Sequence, residues 1–238
     1  MEDPQDPLGG AFFTRFRARL RELHERSRPR TYLEIGVDEG RSLALAKPET
    51  LAIGVDPAPA VEVELGPGTR VFAETSDEFF AERDVDQLYG GAGIDVVFVD
   101  GLHLFEQALR DVANAGRHLS PGGCVLLHDT LPYSRVMAER RRTTEKWTGD
   151  VWKVVECLRR ERADLSVVTV DLTPTGMTVI RGLDPADTDL LDRHGEFVAG
   201  YAALPAGGYE DARAGWEVVP DGDGVLARLA AGEGATAR

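Results

Sequence analysis

The chain has 238 residues and a formal net charge of −14 at pH 7. Nucleic acids and anionic membranes bind basic surfaces, so this charge argues against both as partners and favours a small molecule. The length, and the lack of a central linker rich in Pro, Gly and Ser, predict a single domain over residues 1–238.

Two further features of the sequence predict the cellular compartment of the protein. Cys124 lies in an apolar run and Cys157 in a helical pattern, so neither looks like half of a disulfide framework or of a metal-ligand pair. The sequence shows neither the basic and apolar start of a signal peptide nor an apolar run long enough for a membrane span. We therefore expect a cytoplasmic protein without membrane contact. The oligomeric state stays open, and a homo-oligomer is one option.

The first half of the chain alternates predicted strands with predicted helices. Residues 10–28 carry a helical apolar stripe of Phe13, Phe16, Leu20 and Leu23 and predict an N-terminal helix. Strands are then predicted at TYLEIGV, LAIGVD, TRVFAE, IDVVFVD and GCVLLHD, and helices at GRSLALA, SDEFFAER and LFEQALRDVANAG. Such alternation predicts a parallel sheet with helices on both faces.

The second half closes the sheet differently. After the predicted helix DVWKVVECLRRER, the strands DLSVVTVDL and GMTVIRGL are joined only by TPT, which is too short for a crossover helix. They therefore predict an antiparallel hairpin. The expected fold class is α/β, with a doubly wound, Rossmann-like, mostly parallel sheet of seven strands over residues 31–183. Residues 184–238 are expected to form an extension with one helix, ADTDLLDRHGEFVAGYA.

The loops after the first two strands have residues that suit a nucleoside-containing ligand. In EIGVDEGRS, Glu34, Gly36 and Gly40 are spaced E-x-G-x-x-x-G, unlike the G-x-G-x-x-G of dinucleotide-binding proteins. Asp56 ends the second strand about twenty residues later, where an acid can accept hydrogen bonds from both ribose hydroxyls. The alternative is structural, because glycines also form tight turns and Asp56 before Pro57 also favours one.

Acids and histidines follow the fourth and fifth strands. Asp100 and His103 lie in VDGLH, and His128, Asp129 and Thr130 lie in LLHDT. The carboxyl ends of neighbouring parallel strands meet at one edge, so these side chains are expected around one cavity. Two carboxylates there repel each other unless something positive lies between them. The alternatives are that Asp100 caps the next helix and that His128 is a core residue.

The order of elements resembles that of class I S-adenosylmethionine-dependent methyltransferases. The D-G-x-H and H-D-T patterns resemble motifs of a bacterial family that includes sugar and natural-product O-methyltransferases. The resemblance implies S-adenosylmethionine as the methyl donor. It implies Glu34 near the methionine ammonium, Gly36 and Gly40 beside the methionine arm, and Asp56 on the ribose. In related enzymes a polar or acidic residue after the third strand holds the adenine, which implies Ser76.

The segment AETSDEFF leaves an alternative for that third loop. Ser76 or Asp77 can instead be the N-cap of the helix that follows, since both residue types are favoured there.

The same resemblance implies magnesium as a second cofactor. In related catechol-type and macrolide-sugar O-methyltransferases, acids at these strand ends hold the ion, which orients and acidifies the acceptor hydroxyls. Asp100, Asp129 and Thr130 are the corresponding residues, although the related sites usually have Asn or Asp in place of Thr130. Without a metal, Asp100 would bind the amino group of the cofactor and Asp129 would orient a histidine.

His103 is the candidate catalytic residue. An unperturbed imidazole titrates near neutrality, so it can take the hydroxyl proton as the methyl group transfers. His128 is the rival for this role.

The connection TLPYSRVMAERRRTTEKWTGDVW, after the fifth strand, is longer than most and carries arginines beside aromatic residues. It suits an acceptor with a ring and a phosphate or carboxylate, and a solvated loop is the alternative.

The predicted function is therefore O-methylation of a small polar metabolite, such as a sugar unit in natural-product biosynthesis. The alternative enzyme is a nicotinamide-dependent oxidoreductase, which the missing G-x-G-x-x-G and the closing hairpin disfavour. The non-catalytic alternative is a protein that only binds S-adenosylmethionine. The presence of both Asp100 and Asp129 disfavours it.

Overall fold

A computed structural model of the protein describes residues 14–172 and 174–234. The helices are α1 (Thr14–Ser27), α2 (Ser76–Glu82), α3 (Val85–Leu88), α4 (Phe105–Gly116), α5 (Trp152–Glu161), α6 (Asp189–Asp192), α7 (His194–Tyr201), α8 (Tyr209–Arg213) and α9 (Val225–Ala230). The strands are β1 (Thr31–Ile35), β2 (Leu51–Val55), β3 (Thr69–Phe72), β4 (Ile94–Val99), β5 (Leu119–His128), β6 (Ser166–Asp171), β7 (Met177–Arg181) and β8 (Glu217–Pro220). Phe13 of the predicted stripe lies outside the described residues.

The strands form one sheet in the order β3-β2-β1-β4-β5-β7-β6-β8. The first five strands pair in parallel, whereas β7 runs antiparallel to both β5 and β6. The predicted doubly wound sheet and its closing hairpin are therefore confirmed. The predicted count of seven strands is wrong, because Glu217–Pro220 of the C-terminal extension pairs in parallel with β6 as an eighth strand.

Apolar side chains on both faces of the strands explain why the sheet is covered on both sides. Helices α2, α4, α5 and α7 pack on one face through Phe79, Leu109, Val155 and Phe197. Helices α1 and α9 pack on the other face, where Leu20 of α1 is fully buried. Parallel strands buried on both faces place their loops, and not their flat surfaces, in contact with solvent.

Two local predictions differ from the structure. The segment GRSLALA forms a single 3₁₀ turn at Leu43–Leu45, because Pro48 leaves too few residues for an α-helix. The helix expected in the extension is split into α6 and α7. Both cysteines are buried and unpaired by disulfide, as predicted. No helix within residues 14–172 and 174–234 has the length and apolar character needed to span a membrane.

Candidate active site

A cavity of about 490 Å³ opens at the carboxyl edge of the parallel strands. Its walls come from α1, from the loops after β1 and β4, and from the β5–α5 loop (residues 129–151). Ligands of doubly wound sheets bind outside the carboxyl ends of the strands, so this is the expected place for a functional site.

Two acids and two histidines meet on one side of the cavity. His128 Nδ1 lies 3.0 Å from Asp100 Oδ1 and 3.4 Å from Asp129 Oδ1. His103 Nδ1 lies 3.2 Å from Asp129 Oδ2, and His103 Nε2 lies 3.4 Å from Asp100 Oδ1. The structure thus brings together four residues from the carboxyl ends of β4 and β5, which the sequence separates. We call them the acid–histidine cluster.

The acids of this cluster raise the pKa values of both histidines. Burial alone would lower the pKa of His103, but Asp129 and Asp100 outweigh it and raise the pKa to about 9. Burial also opposes the charge on His128, and the same two acids raise its pKa. In return, although burial alone would raise it, the two rings hold the pKa of Asp100 well below its usual range. His103 therefore differs from the expected ring that titrates near neutrality.

Accessibility separates the two histidines. The side chain of His103 keeps 21% of its surface exposed, whereas that of His128 keeps 10%. The His128 ring packs against Phe16 with centroids 4.5 Å apart, and its Nε2 lies 3.3 Å from Thr175 Oγ1. His103 is thus the ring with more room for an acceptor, and His128 is the more enclosed partner of Asp100.

The β5–α5 loop fixes the position of His103. The Trp147 ring stacks on the imidazole with centroids 5.5 Å apart, and the Trp147 carbonyl lies 3.0 Å from Nδ1. The backbone N–H of Asp150 donates to the His103 carbonyl at 3.3 Å. Gly149 has a φ of 57°, and a Cβ at this position would overlap the same carbonyl. The loop can therefore approach His103 this closely only with glycine there.

Asp150 anchors that loop, a role that the sequence analysis did not predict. Its carboxylate is fully buried and accepts the N–H of Phe105, the first residue of α4, at 2.8 Å. Its other oxygen accepts from Arg140 at 2.7 Å and from the buried ammonium of Lys153 at 2.9 Å. One carboxylate thus joins the loop to the start of α4, two residues after His103. Nothing in the short segment TGDVW distinguishes such an acid from an exposed loop residue.

The predicted metal ligands are only partly together. Asp129 is buried with a φ of 60°, a conformation uncommon outside glycine and typical of constrained functional loops. Thr130 is fully buried, and its hydroxyl accepts from Thr178 at 3.0 Å, within the sheet. His103 takes the place expected for Thr130, because it offers a nitrogen within 4.8 Å of carboxylate oxygens of Asp100 and Asp129. The structure thus offers two carboxylates and an imidazole, in place of a set that includes Thr130.

The first loop lies directly against the fourth. Gly36 has a φ of 90°, and a Cβ there would overlap the carbonyl of Asp100. Asp56 accepts the N–H of Val37 at 2.9 Å and that of Asp38 at 3.0 Å. Asp56 therefore shapes the loop beside the cavity. Of the six predicted cofactor ligands, Gly36 and Asp100 line the cavity, and the other four are not among its lining residues: Glu34, Gly40, Asp56 and Ser76.

Glu34 lies behind the cavity wall. Its fully buried carboxyl accepts from Tyr32 Oη at 2.7 Å and from Ser42 Oγ at 2.8 Å, and Ser42 lines the cavity. Burial raises the pKa of Glu34 to about 8. A carboxyl that is mostly protonated at neutral pH does not supply the negative charge that the sequence suggested for a methionine ammonium.

Glu34→Gln is expected to remove a pH dependence of stability. The native carboxyl holds its proton up to a pKa of about 8, whereas the unfolded chain releases it near 4.5. Native wild type is therefore destabilised as pH rises through this window, by at most about 1.4 kcal/mol per unit. Urea unfolding of both proteins at pH values across the window measures the difference. Parallel curves would contradict the buried, protonated carboxyl.

The third loop places Ser76 in a buried polar network. Its hydroxyl donates to Asp111 at 2.6 Å, and Gln107 donates to both, at 3.2 Å and 3.0 Å respectively. The N-cap of α2 is Thr75, which forms a capping box with Glu78. The alternative that Ser76 or Asp77 caps this helix is therefore wrong, and Ser76 stays a predicted adenine ligand.

Comparison with known proteins covers a part of the chain that contributes to this cavity. Residues 33–130 match the sequence profile of a family described as a methyltransferase domain. This part of the chain is thus similar to a methyltransferase domain. The match runs from β1 through Thr130 and so includes the whole acid–histidine cluster. No curated protein matches the chain in sequence.

Solved structures share the fold of this chain. Rv0187 from MTB, solved with bound cofactor, is 16% identical, with a TM-score of 0.54 over 69% of this chain and 78% of its own. The O-methyltransferase TomG from Streptomyces achromogenes, involved in tomaymycin synthesis and solved with SAM, is 18% identical, with a TM-score of 0.52 over 71% and 80%. An O-methyltransferase from Bacillus cereus, solved with SAH, is 13% identical, with a TM-score of 0.50 over 71% and 80%. At these identities the likeness shows a shared fold.

Proposed function

We propose that the protein transfers a methyl group from S-adenosylmethionine to a hydroxyl of a small polar acceptor, such as a sugar unit of a natural product. The observation that carries this proposal is the acid–histidine cluster, which lines a cavity at the carboxyl edge of a methyltransferase domain. Structural neighbours solved with SAM and SAH support the choice of donor.

The residues around the cavity fit this donor. Gly36 and Asp38 of the first loop line it next to Asp100, so backbone and carboxylates are available to the charged methionine arm. Asp56 adjoins them and is the ribose ligand, and Ser76 is on the adenine side. When bound, the donor supplies a methyl group made electrophilic by its sulfonium. The chain supplies orientation and control of the proton.

His103 is the group that takes the acceptor proton. The acceptor oxygen attacks the methyl carbon, the bond from that carbon to sulfur breaks, and the hydroxyl proton passes to the imidazole. Asp129 orients the ring and stabilises its charged form, at 3.2 Å. The resting ring is charged, so its neutral form is the reactive one. The direct displacement requires little else than alignment of donor and acceptor.

The experiment that tests the donor site is calorimetric titration with S-adenosylhomocysteine. Wild type is expected to bind it, and Asp56→Ala to weaken binding by about 1–3 kcal/mol, through loss of charge-assisted ribose hydrogen bonds and of support for the first loop. Glu64→Ala removes the same charge from an exposed site and is expected to bind like wild type. Equal binding by Asp56→Ala would remove Asp56 from the donor site.

A divalent metal held by the carboxylates of Asp100 and Asp129, with His103 left as the base, is a further part of the proposal. Their donor atoms lie within 4.8 Å of one another, and a cation there would orient and acidify the acceptor hydroxyl. Magnesium prefers oxygen ligands and water, which the two carboxylates and the open cavity allow. We expect EDTA to abolish turnover, magnesium to restore it, and binding of S-adenosylhomocysteine to change little. Full turnover after exhaustive chelation would leave the acids with a hydrogen-bonding role alone.

A further inference from the structure

We infer that the acceptor carries an anionic group, a carboxylate or a phosphate, which Arg142 and Lys146 of the β5–α5 loop hold while its hydroxyl meets the acid–histidine cluster. This inference rests on the proposed function, since it names the class of molecule that the same cavity takes.

The two cations lie in the wall of the reaction cavity. Arg142 and Lys146 line it together with His103, and the Lys146 Nζ atom is buried. Trp147 follows Lys146 directly, and its ring stacks on His103. The backbone that carries the cations is therefore fixed against the residue that takes the proton. An acceptor held by them lies in the same cavity as that residue.

The partners of Arg142 differ from those of its neighbour Arg140. Arg140 donates to the buried carboxylate of Asp150 at 2.7 Å, so its charge serves the loop itself. Arg142 donates to the backbone carbonyls of Thr144 at 3.4 Å and Glu145 at 2.9 Å. In the part of the chain that the structure describes, these neutral acceptors position the guanidinium without pairing it with a carboxylate. Its charge is thus available to a ligand.

A second pair of cations lies next to the first loop, where the donor is expected. Arg142 and Lys146 are therefore assigned to the acceptor. Arg17 of α1 and Arg41 line the same cavity next to the first loop, and Arg41 pairs with Glu39 at 2.6 Å. The carboxylate of the donor's methionine arm is expected at this loop, beside Gly36. The anion that Arg142 and Lys146 attract is therefore a different one.

The rest of the cavity is compatible with an anion on a ring. Asp100 and Asp129 each lie within 3.4 Å of a histidine nitrogen, so the cavity does not present two unmatched carboxylates to an anion. Met137 and Trp147 add apolar surface next to the two cations. Such surface packs on a ring while the cations bind its charged substituent.

The test uses three probes that share a ring and differ in charge: D-glucose, D-glucuronate and D-glucose 6-phosphate. Each is titrated into the full chain saturated with S-adenosylhomocysteine, and binding is followed by saturation-transfer NMR. We expect at least one charged probe to bind about tenfold or more tightly than glucose. The charged probe that binds better identifies carboxylate or phosphate. No preference for either charged probe would overturn the inference.

Substitutions test whether Arg142 and Lys146 cause the preference for a charged probe. Arg142→Gln combined with Lys146→Gln is expected to abolish it, whereas Arg141→Gln, which removes a charge from an exposed neighbour outside the cavity wall, should preserve it. A preference that survives in the double variant would overturn the assignment. Binding of S-adenosylhomocysteine is measured first on each sample. Its absence would contradict the proposed function, and the three probes titrated into the chain alone would then decide the anion site separately.

Discussion

Replacing His103 with Gln is expected to lower kcat about 10²- to 10⁴-fold, the range typical of a lost general base. The ring lies between Asp100 and Asp129, with 21% of its side-chain surface exposed, and nothing else in the cluster combines basicity with that access. Gln keeps a polar group of similar reach but cannot accept a proton. The dissociation constant of S-adenosylhomocysteine should stay close to that of wild type, since His103 is assigned to the acceptor.

Two further histidine variants show whether the loss of kcat is specific to His103. His118→Gln changes a histidine that pairs with Asp86 far from the cavity, and should leave kcat unchanged. His128→Gln tests the rival base. If His128→Gln abolishes turnover while His103→Gln only lowers Tm, His128 takes the proton and His103 has a structural role.

Asp150→Ala is expected to have the largest effect on stability, about 3–5 kcal/mol in the free energy of unfolding. The substitution leaves the ammonium of Lys153, which has 2% of its side chain exposed, without its carboxylate. It also removes the side-chain acceptor of the Phe105 N–H, at the first residue of α4. Urea unfolding measures the loss. A change below about 1 kcal/mol would show that Asp150 does not anchor the loop.

The double variant Asp150→Ala with Lys153→Met separates the effect of an isolated Lys153 charge from the loss of the hydrogen bond to the Phe105 N–H. Removing both members of a buried ion pair avoids the isolated charge, so it should recover a large part of the lost stability. Asp86→Ala breaks an exposed pair with His118 and serves as the control, with an expected change within about 1 kcal/mol.

The parallel core was predictable because its signals are local. Apolar runs such as IDVVFVD are typical of strands buried on both faces, and the three-residue connection TPT allowed only a hairpin. The eighth strand was not predictable in the same way. Glu217–Pro220 has four residues with an exposed–intermediate–buried–exposed pattern, and its pairing with β6 depends on how the whole extension packs.

The candidate site was predictable where topology alone determines distance. Asp100, His103 and Asp129 follow adjacent parallel strands, and such ends necessarily meet. Thr130 could not be placed this way, because one residue along an irregular loop turns a side chain from the cavity into the sheet, where Thr178 binds it. Glu34 shows a second limit, since its raised pKa comes from burial that its sequence neighbours do not reveal.

A crystal structure with S-adenosylhomocysteine is the sharpest test of the proposed donor site. We expect the ligand in the 490 Å³ cavity, with its homocysteine arm beside Gly36, its ribose at Asp56 and its sulfur facing the acid–histidine cluster. Density for the ligand elsewhere, such as the 620 Å³ groove beside Ser120 and Arg228, would contradict it. So would a chain that fails to bind S-adenosylhomocysteine and instead holds NADH in this cavity.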